Sequence, residues 1–167
     1  MPDRVDRLVA AWRRERPDLD VEPLEILSRV SRLARHLELA RKQAFGRLRL
    51  AQWQFDVLAA LRRAGTPYEM TPGELMAETL VSSGAITHRI DQMEAAGLVS
   101  RQRHPDDGRI VRVQLTARGR EAADQALSSL LERERQLLGR LTPTERALLA
   151  SLLRGLLEPF DGDRAVP

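Results

Sequence analysis

The chain contains no cysteine among its 167 residues. Disulfide bonds, thiolate nucleophiles and thiol-based redox sensors are therefore excluded, because each of them needs a cysteine sulfur atom. Any chemical signal that this protein detects must act through other side chains.

Histidine is scarce as well, and the three that occur are His36, His88 and His104. None of them begins an H-x3-H or H-E-x-x-H arrangement, and the sequence has neither a P-loop nor a Rossmann glycine fingerprint. It shows no pairing of a nucleophile with a base. We therefore expect no metal, no cofactor and no enzymatic activity, and an enzyme remains only as an alternative hypothesis.

No apolar run approaches the roughly 18 residues that a membrane-spanning helix requires. The chain also lacks a charged start followed by an apolar stretch and a small-residue cleavage site, which is the pattern of a secretory signal peptide. We expect a cytoplasmic protein with no membrane partner. With 43% apolar and 31% charged residues, the chain suits a single domain over 1–167.

Lysine is nearly absent, since Lys42 is the only one, and arginine supplies almost all of the positive charge. The isoelectric point is strongly basic, but the formal net charge is only +3. Few side chains titrate between neutrality and about pH 10, so a small excess of arginine moves the isoelectric point far upward. The positions of the arginines are therefore more informative than their number.

The sequence does contain a helix that is followed directly by a basic hairpin. One buried helical stripe holds Ile86, Ile90 and Met93, and Gly97 ends the helix where a positive φ is needed. The opposite face is small and polar. Such a face can enter the major groove of DNA, where hydroxyl and imidazole groups bond base edges, although an ordinary surface helix shows the same stripe. The predicted DNA contacts on this helix are Ser82, Ser83, Thr87 and His88, with the two serines also able to cap its start.

The hairpin shows the alternation of a half-buried strand. Its second strand places Val111, Val113 and Leu115 on one face, and 98–103 supplies the partner strand across a turn-forming segment. The arginines of the hairpin put positive charge at its tip and flanks, which suits phosphates or a narrow minor groove. Charged hairpins are also common as solvated surface. The further predicted DNA contacts are Arg103, Arg109 and Arg112.

The hairpin contains the pattern D-x-R-x5-L-T, and a glycine follows three residues after the threonine. The residues of this pattern are Asp107, Arg109, Leu115, Thr116 and Gly119. In this pattern the chain resembles the MarR family of bacterial transcriptional regulators, whose wing carries the same motif. One departure is the pair His88 and Gln92, where the family often has basic residues, so this helix offers fewer phosphate contacts.

The resemblance implies a winged helix-turn-helix protein that forms a homodimer. Proteins of this family bind pseudopalindromic operators in double-stranded DNA and release them on binding a small ligand. A ligand-responsive transcriptional regulator, and in particular a repressor, is therefore the expected function. A winged-helix protein-interaction module without a ligand response is the alternative.

Helical spacing predicts a mainly α fold in which the hairpin wing is the only β structure. The winged-helix core should occupy 51–116, and an extra N-terminal helix, 4–16, should precede it. Helices over 22–48 and 117–158 carry more apolar surface than a small core can bury, so we expect them to dimerise the protein. We expect the last helix to end at Leu157, before Pro159. A monomer whose final helices pack on each other is the alternative.

The extra N-terminal helix adds a finer resemblance, to the urate-responsive members of the MarR family. It implies a site for a small anionic ligand, urate or a related anion, formed by Trp12, Asp56, Arg89 and Arg101. In that arrangement the anion competes with Asp56 for Arg89, and the reading helix shifts. Simpler roles stay open, because the tryptophan could anchor its helix, the aspartate could join a local ion pair and the arginines could contact phosphate.

Overall fold

The computed structural model describes residues 2–103 and 111–161, and the side chains at positions 103 and 161 lie outside the described part. The predicted wing residues Asp107 and Arg109 and the side chain of Arg103 therefore lie outside the described residues. The chain divides into two compact units, Met1–Leu130 and Leu131–Pro167. Each unit is described by itself.

The described residues are mostly helical, as the sequence predicts. The elements are α1 (Arg4–Glu15), α2 (Glu22–Gly46), α3 (Gln52–Arg63), β1 (Glu69–Met70), α4 (Pro72–Thr79), α5 (Ser83–Ala95), β2 (Val99–Arg103), β3 (Val111–Leu115), α6 (Ala117–Leu137) and α7 (Pro143–Asp161). No helix within 2–103 or 111–161 is both long and apolar enough to cross a membrane.

The sheet has three antiparallel strands in the order β1-β3-β2. Arg101 of β2 lies opposite Val113 of β3, and Met70 of β1 pairs with the same valine from the other side. The prediction of a two-stranded hairpin was therefore incomplete. Because β1 is only two residues long, it is too short to show the alternation that marks a strand in sequence.

One hydrophobic cluster joins α3, α4, α5 and the sheet. The predicted stripe of α5 is confirmed, since Ile86, Ile90 and Met93 are all buried in this cluster. Leu75 of α4 packs there as well, so the two helices of the helix-turn-helix share one core. Burial of this stripe fixes the opposite face of α5 toward solvent.

The joint between α5 and α6 gives a physical reason for the L-T-x-x-G part of the wing motif. Gly97 has a φ of +69°, and the Leu98 N–H donates to the Met93 carbonyl at 2.9 Å, which ends α5 in a Schellman turn. The Thr116 hydroxyl donates to the Gly97 carbonyl at 2.8 Å and accepts from the Gly119 N–H at 2.9 Å. One threonine thus ties the end of α5 to the start of α6.

The start of α4 shows the predicted capping box. The Thr71 N–H donates to the Glu74 carboxylate at 2.7 Å, and the Glu74 N–H donates to the Thr71 hydroxyl at 3.2 Å. The prediction that Ser82 caps α5 through its hydroxyl was wrong, because Ser82 occupies the cap position without a side-chain capping bond. Its exposed hydroxyl is therefore not used by the helix.

In the first unit, α1 packs on α2 through a small cluster of its own. The predicted apolar stripe of α2 remains largely exposed in the single chain, as Ile26, Val30 and Leu33 show. These three residues recur at helical spacing, so they form one apolar face. A face of this kind needs a partner that the first unit does not supply.

In the second unit, α7 likewise presents an exposed apolar face, which includes Leu148, Leu152 and Leu156. The predicted end of α7 at Leu157 was wrong, because the helix continues through Pro159 to Asp161. A proline removes one backbone donor, and this loss is tolerated near the end of a helix, where little helix remains to be broken.

Candidate functional site

The outward face of α5 carries four of the predicted DNA contacts together. The hydroxyls of Ser82, Ser83 and Thr87 and the imidazole of His88 are all on exposed residues. The Thr87 hydroxyl donates to the Ser83 carbonyl at 3.1 Å, and His88 Nε2 lies 3.0 Å from Gln92 Nε2. Because Thr87 donates inward, its oxygen lone pairs remain directed to the surface.

Arg101 clamps β2 to α5 rather than lying free. Its backbone N–H and its Nη1 donate to the two carboxylate oxygens of Glu94, at 2.9 and 2.7 Å, and its Nη2 binds Asp91. Partial burial disfavours the charge, but the bonds to the two carboxylates outweigh it and hold the pKa of Arg101 above its ordinary value. The clamp also offsets the negative charge of Asp91 beside the outward face.

Arg112, another predicted DNA contact, lies half-buried on β3. Its Nε is 3.8 Å from a carboxylate oxygen of Glu69 on β1, and the same Nε is buried with no hydrogen-bond partner in the described part of the chain. The acidic neighbour offsets part of its charge. A phosphate contact by Arg112 stays a prediction.

Arg89 lies at the edge of α5, half-buried, and turns toward α3 rather than toward the outward face. Its guanidinium carbon is 5.5 Å from the ring centroid of Trp53, which is a cation–π distance. Trp53 stands one helical turn before Asp56 on α3. Trp53 was not among the predicted ligand residues, although its spacing of three residues from Asp56 was a usable signal.

Asp56 is an exposed residue of the single chain, yet the protein packed around its carboxylate raises its pKa through desolvation. The charges of Arg41, Arg89 and Arg63 act in the opposite direction. This carboxylate therefore lies in positive surroundings that α2, α3 and α5 contribute together.

We expect Asp56→Asn to make the protein slightly more stable at neutral pH. The pKa of Asp56 is higher in the folded protein than in the unfolded chain. The stability that this carboxyl group contributes is therefore present below its unfolded pKa and is lost as pH rises through its folded pKa. The gain should stay below about 1 kcal/mol, because solvent screens so exposed a group. Urea unfolding of both proteins at several pH values measures it. A variant that is less stable than the parent at pH 7 would contradict the predicted sign.

Trp12 is not joined to the other three predicted ligand residues within one chain. It lies on α1 and is about half exposed, at 47%. Within the described ranges no hydrogen bond, ion pair or ring contact connects it to Asp56, Arg89 or Arg101. Of the four predicted ligand residues, the structure therefore links only Arg89 and Asp56, whereas Trp12 lies on α1 and Arg101 binds the acidic residues of α5.

Metal-ligating residues do not cluster in the described part of the chain, where no group of three or more His, Asp or Glu could hold an ion.

The fold and the exposed polar helix beside a sheet wing define a winged-helix protein. The family model described as the MarR family matches residues 49–110. The HTH-type transcriptional regulator PecS of Dickeya dadantii is 34% identical over 149 residues, which cover 89% of this chain and 90% of PecS. The chain belongs to the MarR family, as its wing motif predicts.

Solved structures agree with this assignment. A mutant MarR from E. coli complexed with operator DNA superposes with a TM-score of 0.66 at 29% identity, covering 83% of this chain and 99% of that one. BpsR of Bordetella bronchiseptica, whose structure concerns the regulation of DNA binding by 6-hydroxynicotinic acid, gives a TM-score of 0.62 at 26% identity. It covers 78% of this chain and 91% of BpsR.

Proposed function

We propose that this protein is a homodimeric repressor that binds a pseudopalindromic operator and releases it when urate or a similar planar anion binds. The observation that carries the proposal is the exposed polar face of α5, with Thr87 and His88 at its centre. This face is flanked by the Arg101 clamp, which offsets the acidic charge nearest to it. Catalysis is no part of the proposal, and a regulator of this kind acts at chromosomal DNA in the cytoplasm.

The exposed apolar faces support the homodimer. In the first unit α2 exposes Ile26 and Val30, and in the second unit α7 exposes Leu148 and Leu152. Contiguous apolar surface of this kind marks sites of association. A two-fold dimer would present two reading helices, which must be about 34 Å apart to enter successive major grooves.

The surroundings of Arg89 support the ligand response. Arg89 lies over Trp53, and its charge acts on Asp56. A planar anion could therefore stack on the Trp53 ring and bind the Arg89 guanidinium in competition with Asp56. Because Arg89 belongs to α5, such an exchange would move the reading helix. The regulation of BpsR by a planar aromatic acid is a precedent within the fold. In this chain the proposed ligand residues are Trp12, Asp56, Arg89 and Arg101.

Selection of duplexes from a random pool, followed by binding measurements at several salt concentrations, tests the proposal. We expect a pseudopalindromic duplex to be enriched, and its affinity to fall steeply with salt, at a slope of about −0.9 for each neutralised phosphate. Light scattering should give about twice the 18.9 kDa of the chain. A monomer that shows no preferred duplex would contradict the proposal and favour a protein-interaction module.

A further inference from the structure

Gln92 gives the outward face of α5 an uncharged amide, which the predicted set of DNA contacts did not include. His88 and Gln92 are four residues apart and both are exposed, so they lie one helical turn apart on the same face. A neutral amide releases no counterions when it meets a phosphate, and so it adds little affinity for DNA of any sequence. Its directional hydrogen bonds are better suited to the edges of bases.

The side chains of His88 and Gln92 are hydrogen-bonded to each other. Gln92 Nε2 lies 3.0 Å from His88 Nε2. Because an amide nitrogen only donates, the imidazole nitrogen accepts, and the ring is then neutral with its proton on Nδ1. Among the described residues the Gln92 side chain makes no other hydrogen bond. One N–H of the amide and its oxygen, Oε1, therefore remain available to a partner from outside.

The acidic residue of this face does not compete for the pair. Asp91 follows His88 by three residues, which is near enough on a helix for its carboxylate to accept from the imidazole. That carboxylate is bound instead by the guanidinium of Arg101, which Glu94 also holds. The arginine clamp therefore leaves the pair of His88 and Gln92 intact, and it offsets acidic charge that would repel DNA.

We propose that Gln92, held by His88, is a specificity-determining residue that reads an adenine in each half-site of the operator. The inference rests on the proposed role of α5 as the reading helix. A carboxamide N–H and oxygen match the N7 acceptor and the N6 donor that adenine presents in the major groove, where guanine presents two acceptors. Because His88 holds the amide before DNA binds, less side-chain freedom is lost in the complex. His88 thus acts as a positioning residue for Gln92.

Selection of duplexes from a random pool by the full-length protein and its variants tests this assignment. The parent should enrich adenine at one position of each half-site, and replacing that adenine should weaken binding about 5- to 150-fold for each contact. Gln92→Ala should lose this preference and keep the remaining base preferences. Gln92→Arg should prefer guanine at the same position, because a guanidinium fork binds its O6 and N7.

A double-mutant cycle with His88→Ala and Gln92→Ala tests whether the two side chains act as a unit. If His88 holds Gln92, the double variant should lose less operator affinity than the product of the two single losses, because either substitution already breaks the pair. Gln125→Ala on α6 is the matched control, since Gln125 Nε2 donates to Glu121 four residues earlier, also at 3.0 Å. It should keep the affinity and the base preferences of the parent. Circular dichroism shows that each variant is folded.

The outcomes separate this inference from the proposed function. If the parent selects an operator and Gln92→Ala keeps every base preference, the assignment of Gln92 is wrong while operator binding stands. If Gln92→Arg raises affinity for all sequences and the salt slope by about one per subunit, with no new base preference, position 92 faces a phosphate and the assignment is also wrong. Single losses that simply multiply would refute the positioning role of His88. A parent that selects no duplex refutes the proposed function and this inference together.

Discussion

Replacing Gly119 by alanine is expected to destabilise the protein by about 3 kcal/mol or more, the upper end of the range for overpacking a core. A Cβ atom at this position would lie 1.9 Å from the backbone carbonyl oxygen of Leu98. Because that oxygen belongs to the backbone, it cannot move away by a rotamer change. The backbone at Leu98 must therefore move, and this movement would strain the hydrogen bonds by which Thr116 joins α5 to α6.

Urea unfolding at one fixed protein concentration measures the loss in the free energy of unfolding. In thermal unfolding, the melting temperature should fall by about 2–4 °C for each kcal/mol that is lost. Gly84→Ala is the control, because Gly84 also lies in a helix and its Cβ would meet nothing within 4 Å. The control should leave stability unchanged or raise it by about 0.5–1 kcal/mol. Equal stability of the Gly119→Ala variant and the parent would show that the close approach to Leu98 is not real.

The reading helix should lose operator affinity when its outward side chains are removed. We expect the double variant Thr87→Ala/His88→Ala to lose about 0.5–1.5 kcal/mol of operator binding free energy for each hydrogen bond to a base edge that it deletes. The matched control is Ser128→Ala on α6, because the Ser128 hydroxyl makes the same kind of bond to the carbonyl four residues earlier. This control should bind the operator as the parent does, and fluorescence anisotropy with a labelled duplex measures all three proteins.

Arg109→Ala separates two roles of the wing. If Arg109 reads the minor groove, operator affinity should fall by about 1–3 kcal/mol and specificity should relax at one position. If it contacts a phosphate only, affinity should fall for all sequences and the salt slope should decrease by about one per subunit. Unchanged operator affinity in both this variant and the double variant of α5 would refute the placement of the reading head.

Local sequence signals predicted the reading head well, because its elements are set by neighbouring residues. The stripe of α5 follows from helical spacing, and the turn at Gly97 follows from the need for a positive φ. The capping box of Thr71 and Glu74 is written into four consecutive residues. In each case the interacting groups are close along the chain, so the local sequence pattern is enough to predict the helix, the turn or the cap.

Contacts between distant segments could not be predicted in the same way. Strand β1 exists because it pairs with β3, more than forty residues later, and its own two residues carry no pattern. The clamp from Arg101 to Glu94 depends on how β2 folds back along α5. Such side chains look like ordinary surface charges in the sequence.

The four predicted ligand residues stay a prediction. The resemblance pointed to Arg89 and Asp56 among them, and the structure places Arg89 over Trp53, one helical turn before Asp56, where the charge of Arg89 acts on the Asp56 carboxylate. It could not indicate that Arg101 is engaged by α5, because both of its partners are ordinary acidic residues of an amphipathic helix. The role of Trp12 stays a prediction, and Trp12→Ala should weaken ligand binding while operator affinity stays nearly intact, because α1 lies outside the reading head.

The most direct test of a ligand-released regulator is a titration of urate into the preformed complex of protein and operator, followed by fluorescence anisotropy. We predict that the parent releases the DNA, with an operator affinity about 5- to 150-fold lower at saturating urate, as a coupling of about 1–3 kcal/mol requires. Arg89→Ala should show a much smaller change. A parent complex that keeps its operator affinity at saturating urate would contradict the account.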